Sequence, residues 1–575
     1  APDATARNVD ALRTVLQRFN IPAQPITQRW GPPVFLVDLG EIRDEALDAL
    51  SMFPGLRSIF PEPKVQSTAA TSGFVTGPFL PPLPGVTLPV VGVFDTGTAA
   101  SATSLRPWIS STDLYVLPPE TDHVHGTAVA SLVAGAKLLN GDHSWLPPTR
   151  CQVHDTCGLE AAGGNVTDLI VRLSDAVSKA PHVKVWNLSL GAGQIGDQDF
   201  SYFAQQLDAL SDQYKVLFVV AAGNYVNLPR RGWPVSDPNL QDRLSSPGDS
   251  VRALTVGAVA HLDSPGAMVA AGHPAPYSRR GPGPVFTPKP DLVHAGGGVH
   301  SEWNVGASSL QMLNPTDAPY GSFGTSFATP IVSSVAGHVW QSLDGRPDLT
   351  VAPHMVKALL VHAARLASPD YGAQERRYYG SGIPKDALSA LYDSDDCFTL
   401  MFEALVVPGF KWRKAPYPIP ASLLHQGKLR AEVIITAAYS PPLDPSAGAE
   451  YVRANVNVSF GVLNGNRISG KVPMEGEAGT TGYEAAQIEH GGKWSPVKLH
   501  RKRFPQGVAG DQWAIQLDAL LRANEPPLAE PLNVALIVSL RSLDGNAQVH
   551  ADGVRSLVNA NWVRQQLPVR VPVHV

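Results

Sequence analysis

Residues 90–98 read VVGVFDTGT, an apolar run that ends at Asp95 and then turns polar. Such a run predicts a buried strand with Asp95 at its carboxyl end. Further apolar runs alternate with helical patterns: the predicted strands are 183–190, 216–222 and 251–259, and the predicted helices are 125–139, 165–179, 198–213, 326–342 and 353–367. This alternation predicts an α/β domain with a parallel sheet and helices on both faces. Active sites of such sheets form at the carboxyl ends of the strands, where Asp95 and Asn224 both fall.

Two of the predicted helices begin with chemically useful residues. His125 opens HGTAVASLVAGAKLL, and its ordinary pKa of about 6.5 suits a base near neutral pH. Ser326 opens SFATPIVSSVAGHVW, where the helix dipole favours developing negative charge. Pro330 is expected in the first turn of that helix, where its missing N–H does little harm. His123, two residues before His125, is interpreted as a surface residue.

Taken singly, each of these residues has an ordinary structural explanation. Ser326 and His125 could be helix caps, Asp95 could close an Asx-turn, and Asn224 could be a left-handed turn residue. Together they supply an acid, a base, a nucleophile and a side-chain amide. That set points to a serine hydrolase that cleaves peptide bonds.

The motifs DTG at Asp95, HGT at His125, AAGN at Asn224 and GTSFATP at Ser326 stand in one order along the chain. In these motifs and their order the chain resembles the subtilisin-like serine proteases, the subtilases. The resemblance implies that Asp95 orients His125, that His125 takes a proton from Ser326, and that Ser326 attacks the scissile carbonyl. It also implies an oxyanion hole made by Asn224 and the backbone N–H of Ser326.

The resemblance extends to the substrate-binding segments. It implies that the stretch Ser189, Leu190 and Gly191 pairs with the substrate backbone, and that the stretch Ala221, Ala222 and Gly223 forms a pocket wall. These walls are small and apolar, so a hydrophobic residue is expected before the cut. The chain departs from the family's usual HGTHVAG at Ala128 and Ser131, neither of which would carry a triad atom. No calcium-loop signature is visible, so no metal and no cofactor are expected.

Three functions remain open from the sequence. The first is an active endopeptidase acting on a polypeptide substrate. The second is a latent effector, held silent by its N-terminal unit or by a partner. The third is a non-catalytic binding scaffold, which would require none of the four functional side chains. Phrases such as YSRRGPGP and PKPDLVHAGG resemble a bacterial subgroup of subtilases, and that resemblance implies an AAA-type ATPase as a possible partner.

Residues 1–85 are predicted to form a small α+β unit. Helical spacing covers 9–19, a strand is predicted at 33–39, a helix at 41–53, and a turn with a second strand in FPGLRSIFPEPKV at 53–65. The unit resembles a subtilase propeptide, with a processing site in the Pro-rich linker that runs from Thr68 to Pro84. The alternative is a permanent N-terminal domain.

The pattern changes to period two from about residue 395. In 451–460 apolar and polar residues alternate, and 428–439, 511–517 and 532–543 are also typical of strands. The predicted architecture is therefore a catalytic domain at 86–394 and an all-β sandwich domain at 395–575.

Composition narrows the class of protein further. A net charge of −5 over 575 residues gives no reason to expect nucleic-acid or membrane-surface binding. No run approaches the roughly 20 apolar residues that a membrane span needs. Three cysteines and no visible signal peptide favour a cytoplasmic location, with secretion as the alternative.

Overall fold

The computed structural model describes residues 2–26, 32–38, 44–62, 64, 72–73, 79–237, 239–301, 304–346, 349–392, 394–475, 492–559 and 562. Its helices are α1 (Pro2–Arg18), α2 (Asp44–Ser51), α3 (Val124–Leu139), α4 (Val166–Lys179), α5 (Tyr202–Tyr214), α6 (Thr325–Asp344), α7 (Pro353–Ala367), α8 (Ala373–Tyr379), α9 (Ala387–Tyr392) and α10 (Val549–Asn559). The first twelve strands are β1 (Ala23–Ile26), β2 (Val34–Val37), β3 (Ser72–Gly73), β4 (Val90–Asp95), β5 (Ile109–Leu114), β6 (Gln152–Cys157), β7 (Val185–Leu188), β8 (Leu217–Ala221), β9 (Leu254–Val259), β10 (Leu292–Ala295), β11 (Leu310–Leu313) and β12 (Pro319–Ser322). The remaining strands are β13 (Cys397–Val406), β14 (Lys411–Lys414), β15 (Leu424–His425), β16 (Lys428–Leu429), β17 (Glu432–Tyr439), β18 (Ala454–Asn464), β19 (Arg467–Gly470), β20 (Val497–Arg503), β21 (Val508–Ala509), β22 (Trp513–Leu521) and β23 (Leu532–Arg541).

A seven-stranded parallel sheet forms the centre of the molecule, in the order β10-β9-β8-β7-β4-β6-β5. Successive residues of its strands face opposite sides: Leu217 and Val219 pack into the core beneath α3 and α6, whereas Phe218 and Val220 pack beneath α4 and α5. Both faces are therefore covered, as in α/β folds, and the predicted fold class is confirmed. β4 lies near the middle, so the carboxyl end of β4 brings Asp95 to the centre of one sheet edge.

The C-terminal region contains two four-stranded antiparallel sheets, β13-β23-β17-β20 and β14-β22-β18-β19. Apolar residues from both sheets share one core, including Ile435 of the first and Phe460 of the second. Residues on the other face of the first sheet, such as Ile434 and Ile537, join the core under the central sheet. The predicted sandwich is thus packed directly against α7.

The N-terminal unit differs from the sequence prediction in its strands, because β1 was not predicted. β2 pairs with β1 in an antiparallel hairpin, and the predicted second strand in 53–65 is wrong as far as its residues are described. Pro54, Pro61 and Pro63 interrupt that segment, and proline cannot donate to a strand ladder. Much of the linker with the predicted processing site lies outside the described residues.

Candidate active site

Asp95 and His125 meet at the carboxyl end of β4. The Nδ1 of His125 lies 2.8 Å and 2.9 Å from the two carboxylate oxygens of Asp95, and both side chains are at most 2% exposed. Burial disfavours the charged imidazole, but the charge and hydrogen bond of Asp95 outweigh it and raise the pKa of His125 above its ordinary value. This is the geometry in which a carboxylate fixes the tautomer of a histidine and stabilises its protonated form.

The small residues after Asp95 and His125 lock helix α3 against the end of β4. Gly126 N donates to Thr96 Oγ1 at 2.9 Å, and Ala99 N donates to Thr127 Oγ1 at 3.0 Å. A Cβ on Gly126 would lie only 2.7 Å from the backbone nitrogen of Gly97. Glycine is required here because the two backbones approach too closely for any side chain.

Ser326 lies in the first turn of α6, beside the histidine. The ring of Phe327, the next residue, is 5.7 Å from the His125 ring between centroids. Ser326 is 8% exposed, and its Oγ donates to the carbonyl oxygen of Ser189 at 3.2 Å. The Nε2 of His125 is buried and has no hydrogen-bond partner among the described residues. The structure therefore pairs the predicted acid with the predicted base and places the residue after Ser326 against the His125 ring, with the serine hydroxyl turned towards Ser189.

Ser189 also holds the helix that carries Ser326. Its hydroxyl donates to the carbonyl oxygen of Ser326 at 2.7 Å and accepts from Asn187 Nδ2 at 2.9 Å. Pro330 lies inside α6 rather than in its first turn, which corrects the sequence prediction. Because proline has no N–H, it cannot satisfy the carbonyl four residues earlier, which is that of Ser326. The Ser189 hydroxyl supplies the missing donor.

Asn224 follows β8 and faces the start of α6. Its Oδ1 accepts from the N and the Oγ1 of Thr325, each at 3.0 Å, and Thr325 Oγ1 in turn accepts from Gly223 N at 3.2 Å. With Oδ1 held in this way, the Nδ2 group of the amide is left to donate elsewhere. Asn224 is not in the left-handed conformation that a simple turn role would favour, whereas Gly223 has a φ of +98°.

The other predicted substrate-binding residues lie at the ends of β7 and β8. Leu190 is 3% exposed, and its side chain packs in the core under α4 and α5, so only its backbone is available to a substrate. Ala222 is fully buried, and its N and O bond to Val256 O and Ser245 N. Gly191 and Gly223 face each other across Ser245, which sequence reasoning did not single out.

His123 is not the surface residue that the sequence suggested. It is half-buried, its φ is +57°, and its Nδ1 lies 2.8 Å from the carbonyl oxygen of Thr96. The turn that leads into α3 folds over the loop after Asp95, which explains both its burial and this bond.

No group of three or more histidine, cysteine, aspartate or glutamate side chains among the residues that the structure describes is arranged to hold a metal ion. No helix in the described ranges is long and apolar enough to cross a bilayer.

The sheet, the helices on both faces and the aspartate, histidine and serine at one edge define an α/β serine hydrolase. The model of the subtilase family, peptidase S8, matches residues 88–382, slightly more than half of the chain. The chain therefore belongs to the subtilase family, and it is a serine-type endopeptidase acting on polypeptides.

Two curated proteins and two solved structures are similar to parts of the chain. The uncharacterized protein y4bN of Sinorhizobium fredii is 26% identical over 327 residues, covering 49% of this chain and 72% of that protein. Pyrolysin of Pyrococcus furiosus is 28% identical over 263 residues, covering 37% of this chain and only 17% of pyrolysin. The match to the structure of a lanthipeptide protease (19% identity, TM-score 0.38) covers 52% of this chain and 86% of the protease chain. A cold adapted subtilisin-like serine proteinase (20% identity, TM-score 0.31) covers 48% and 81%. At these TM-scores neither structure bears on what this chain does.

Proposed function

We propose that Asp95, His125 and Ser326 form the catalytic triad of this endopeptidase. The observation that carries the proposal is the buried bond from His125 Nδ1 to both oxygens of Asp95, with Nε2 left unpartnered beside the helix of Ser326. For the reaction the Ser326 hydroxyl must leave Ser189 O and donate to His125 Nε2. Catalytic hydrogen bonds commonly tighten only when substrate is bound.

In the first step Ser326 Oγ attacks the scissile carbonyl while His125 Nε2 takes its proton. Asn224 Nδ2 and the backbone N–H of Ser326 donate to the oxygen that becomes negative. Histidine then returns the proton to the leaving amine, and water hydrolyses the acyl-enzyme by the same steps in reverse. The backbone of Ser189–Gly191 pairs with the substrate, and Ala221–Gly223 walls the pocket for the residue before the cut.

The test is hydrolysis of an unfolded protein substrate by the wild type, Ser326→Ala and a matched control. Ser178→Ala is suitable as the control because Ser178 is exposed near the C-terminal end of α4. We expect Ser326→Ala to lose all measurable activity with an unchanged melting temperature, and Ser178→Ala to keep full activity. Substantial residual activity in Ser326→Ala would contradict the assignment and favour the scaffold interpretation.

We also propose that residues 1–85 restrain the enzyme as a propeptide-like unit. The backbone of Lys64 bridges to Asn165, just before α4, and Ser72–Gly73 pair with Tyr320 and Gly321 of β12, the strand that leads into α6. Phe60 packs near Tyr202 at 6.4 Å between ring centroids. The unit is thus anchored both to the segment before α4 and to β12, the strand that precedes the helix of Ser326.

Comparing the hydrolysis rate before and after proteolytic removal of residues 1–85 tests this second proposal. A rise in rate, together with a loss of mass that matches the unit, is the expected result. An unchanged rate would make the unit a permanent domain without an inhibitory role. The proposed ATPase partner and cytoplasmic location have no support from the described contacts and stay predictions.

A further inference from the structure

Ser245 closes the space between the two proposed walls of the substrate pocket. Its backbone N donates to Ala222 O at 2.9 Å, and the next carbonyl, of Ser246, accepts from Ala192 N at 2.7 Å. The segment Ser245–Ser246 therefore bridges the chain after β7 to the chain after β8. It forms the floor that joins one wall to the other.

The side chain of Ser245 stands between the glycines of those walls. A Cβ on Gly191 would lie 3.2 Å from Ser245 Cβ, and a Cβ on Gly223 would lie 2.6 Å from the same atom. Ordinary carbon–carbon contacts are about 3.5–4.0 Å. The serine side chain thus packs directly against both glycines and narrows the space between the two proposed walls.

Arg279 limits the pocket further. Its Cδ would lie 2.9 Å from a Cβ on Gly223, and its guanidinium is held by backbone carbonyls, with Nε donating to Asn224 O at 3.1 Å and Nη1 to Arg243 O at 2.7 Å. These bonds fix the side chain beside the pocket. Ser245 is 7% exposed, and its hydroxyl makes no hydrogen bond within the part of the chain that the structure describes.

We propose that Ser245 is a specificity-determining residue that makes this pocket shallow, so that the enzyme cleaves after small residues such as alanine and serine. The inference rests on the proposed function, since the pocket precedes the cut only if Ser326 is the nucleophile. One surplus methylene in a tight pocket changes kcat/KM by about 10–200-fold. The phenylalanine side chain is larger than that of alanine by more than one methylene. We therefore expect kcat/KM to be at least about 100-fold higher for a substrate with alanine before the cut than for one with phenylalanine.

The experiment compares tetrapeptide substrates that differ only in the residue before the cut: alanine, serine, leucine, phenylalanine and glutamate. The full chain is assayed as wild type, Ser245→Gly, Ser245→Val and the exposed control Ser178→Gly. Labelling of Ser326 by a fluorophosphonate is measured in parallel, because it reports the nucleophile without using the pocket. We expect Ser245→Gly to raise kcat/KM for phenylalanine at least about ten-fold, Ser245→Val to lower it for alanine, and Ser178→Gly to match the wild type.

The outcomes separate the inference from the function on which it rests. If the wild type is labelled but prefers phenylalanine, leucine or glutamate, the inference is wrong and the triad stands. The same holds if Ser245→Gly keeps the wild-type preference. If neither labelling nor hydrolysis of any substrate occurs, in the full chain or after proteolytic removal of residues 1–85, the proposed function and the inference fall together.

Discussion

Two buried histidines, one on α3 and one on α7, have opposite environments. His125 on α3 has Asp95 behind Nδ1, and its Nε2 is unpartnered among the described residues. His362 on α7 has hydroxyls on both nitrogens, Thr436 Oγ1 at 2.9 Å and Ser539 Oγ at 2.8 Å. Burial lowers the pKa of His362 to about 3, whereas the carboxylate raises that of His125.

The difference separates a reactive group from a structural one. His362, whose two nitrogens both have neutral hydroxyl partners, stays uncharged and links α7 to strands β17 and β23. A histidine with a carboxylate on one nitrogen and space at the other can take up a proton and be stabilised in doing so. The incomplete pairing of His125 is therefore the better indicator of chemistry than its burial.

Removing His125 is expected to have the largest effect on activity. His125→Ala should lower kcat by about 10⁶-fold, the loss found on removing the triad histidine of subtilisin, a member of the same family. The melting temperature should change little. Kinetics and thermal unfolding of the same preparation check this, and a loss below about 100-fold would place the base elsewhere.

Asp95→Asn should cost about 10⁴-fold in kcat, because the amide no longer stabilises the required tautomer. The base works when neutral, so activity rises as pH passes through the pKa of His125. Without the carboxylate that pKa falls, and the rising limb of the profile should move to lower pH. A profile of kcat/KM against pH that does not move would mean that Asp95 does not act through His125.

Changes to a buried ion-pair cluster within the first C-terminal sheet should affect stability and leave activity unchanged. Glu432 is 2% exposed and accepts from Arg501, Arg503 and Arg541, and although burial opposes its charge, the arginines lower its pKa to about 2. Because this value lies below the ordinary 4.5, the stabilisation is complete above pH about 4.5 and is lost as pH falls towards 2.

Glu432→Gln should therefore destabilise the fold by about 3–5 kcal/mol at pH 7, since it breaks buried ion pairs. Denaturant unfolding at pH 7 and pH 3 measures the effect, and the difference between variant and wild type should shrink at pH 3. An equal difference at both values would show that the charge of Glu432 is not the cause.

Asn224→Ala should lower kcat by about 10²–10³-fold with little change in KM, as expected for a donor used only in the transition state. Because Asn224 Oδ1 also holds Thr325, Asn224→Asp serves as the control that keeps this acceptor. A rise in KM with constant kcat would assign Asn224 to ground-state binding.

The smallest effect is expected at His362. His362→Ala leaves two buried hydroxyls with fewer partners, which costs about 1–3 kcal/mol of stability. The activity of the folded protein should equal that of the wild type. Lost activity at full stability would contradict the structural role given to this histidine.

Much of this arrangement can be predicted from sequence because it depends on local pattern. The apolar run before Asp95 predicts its strand, and four motifs in order predict which strand ends and helix starts converge. The rest depends on tertiary contacts. The carbonyl of Ser326, which Pro330 cannot bond, accepts a hydrogen bond from the Ser189 hydroxyl 137 residues away, and no local sequence pattern predicts that bond. The sequence does not predict strand β5, because its residues, ISSTDL, lie at the exposed edge of the sheet and form no apolar run.

The most direct test of the account is intact-mass and peptide analysis after reaction with a fluorophosphonate. It is applied to the wild type, Ser326→Ala and Asp95→Asn. The account predicts one adduct, on the peptide with Ser326, in the wild type, greatly slowed labelling in Asp95→Asn and none in Ser326→Ala. An adduct on another serine, or equal labelling of Ser326→Ala, would contradict the triad.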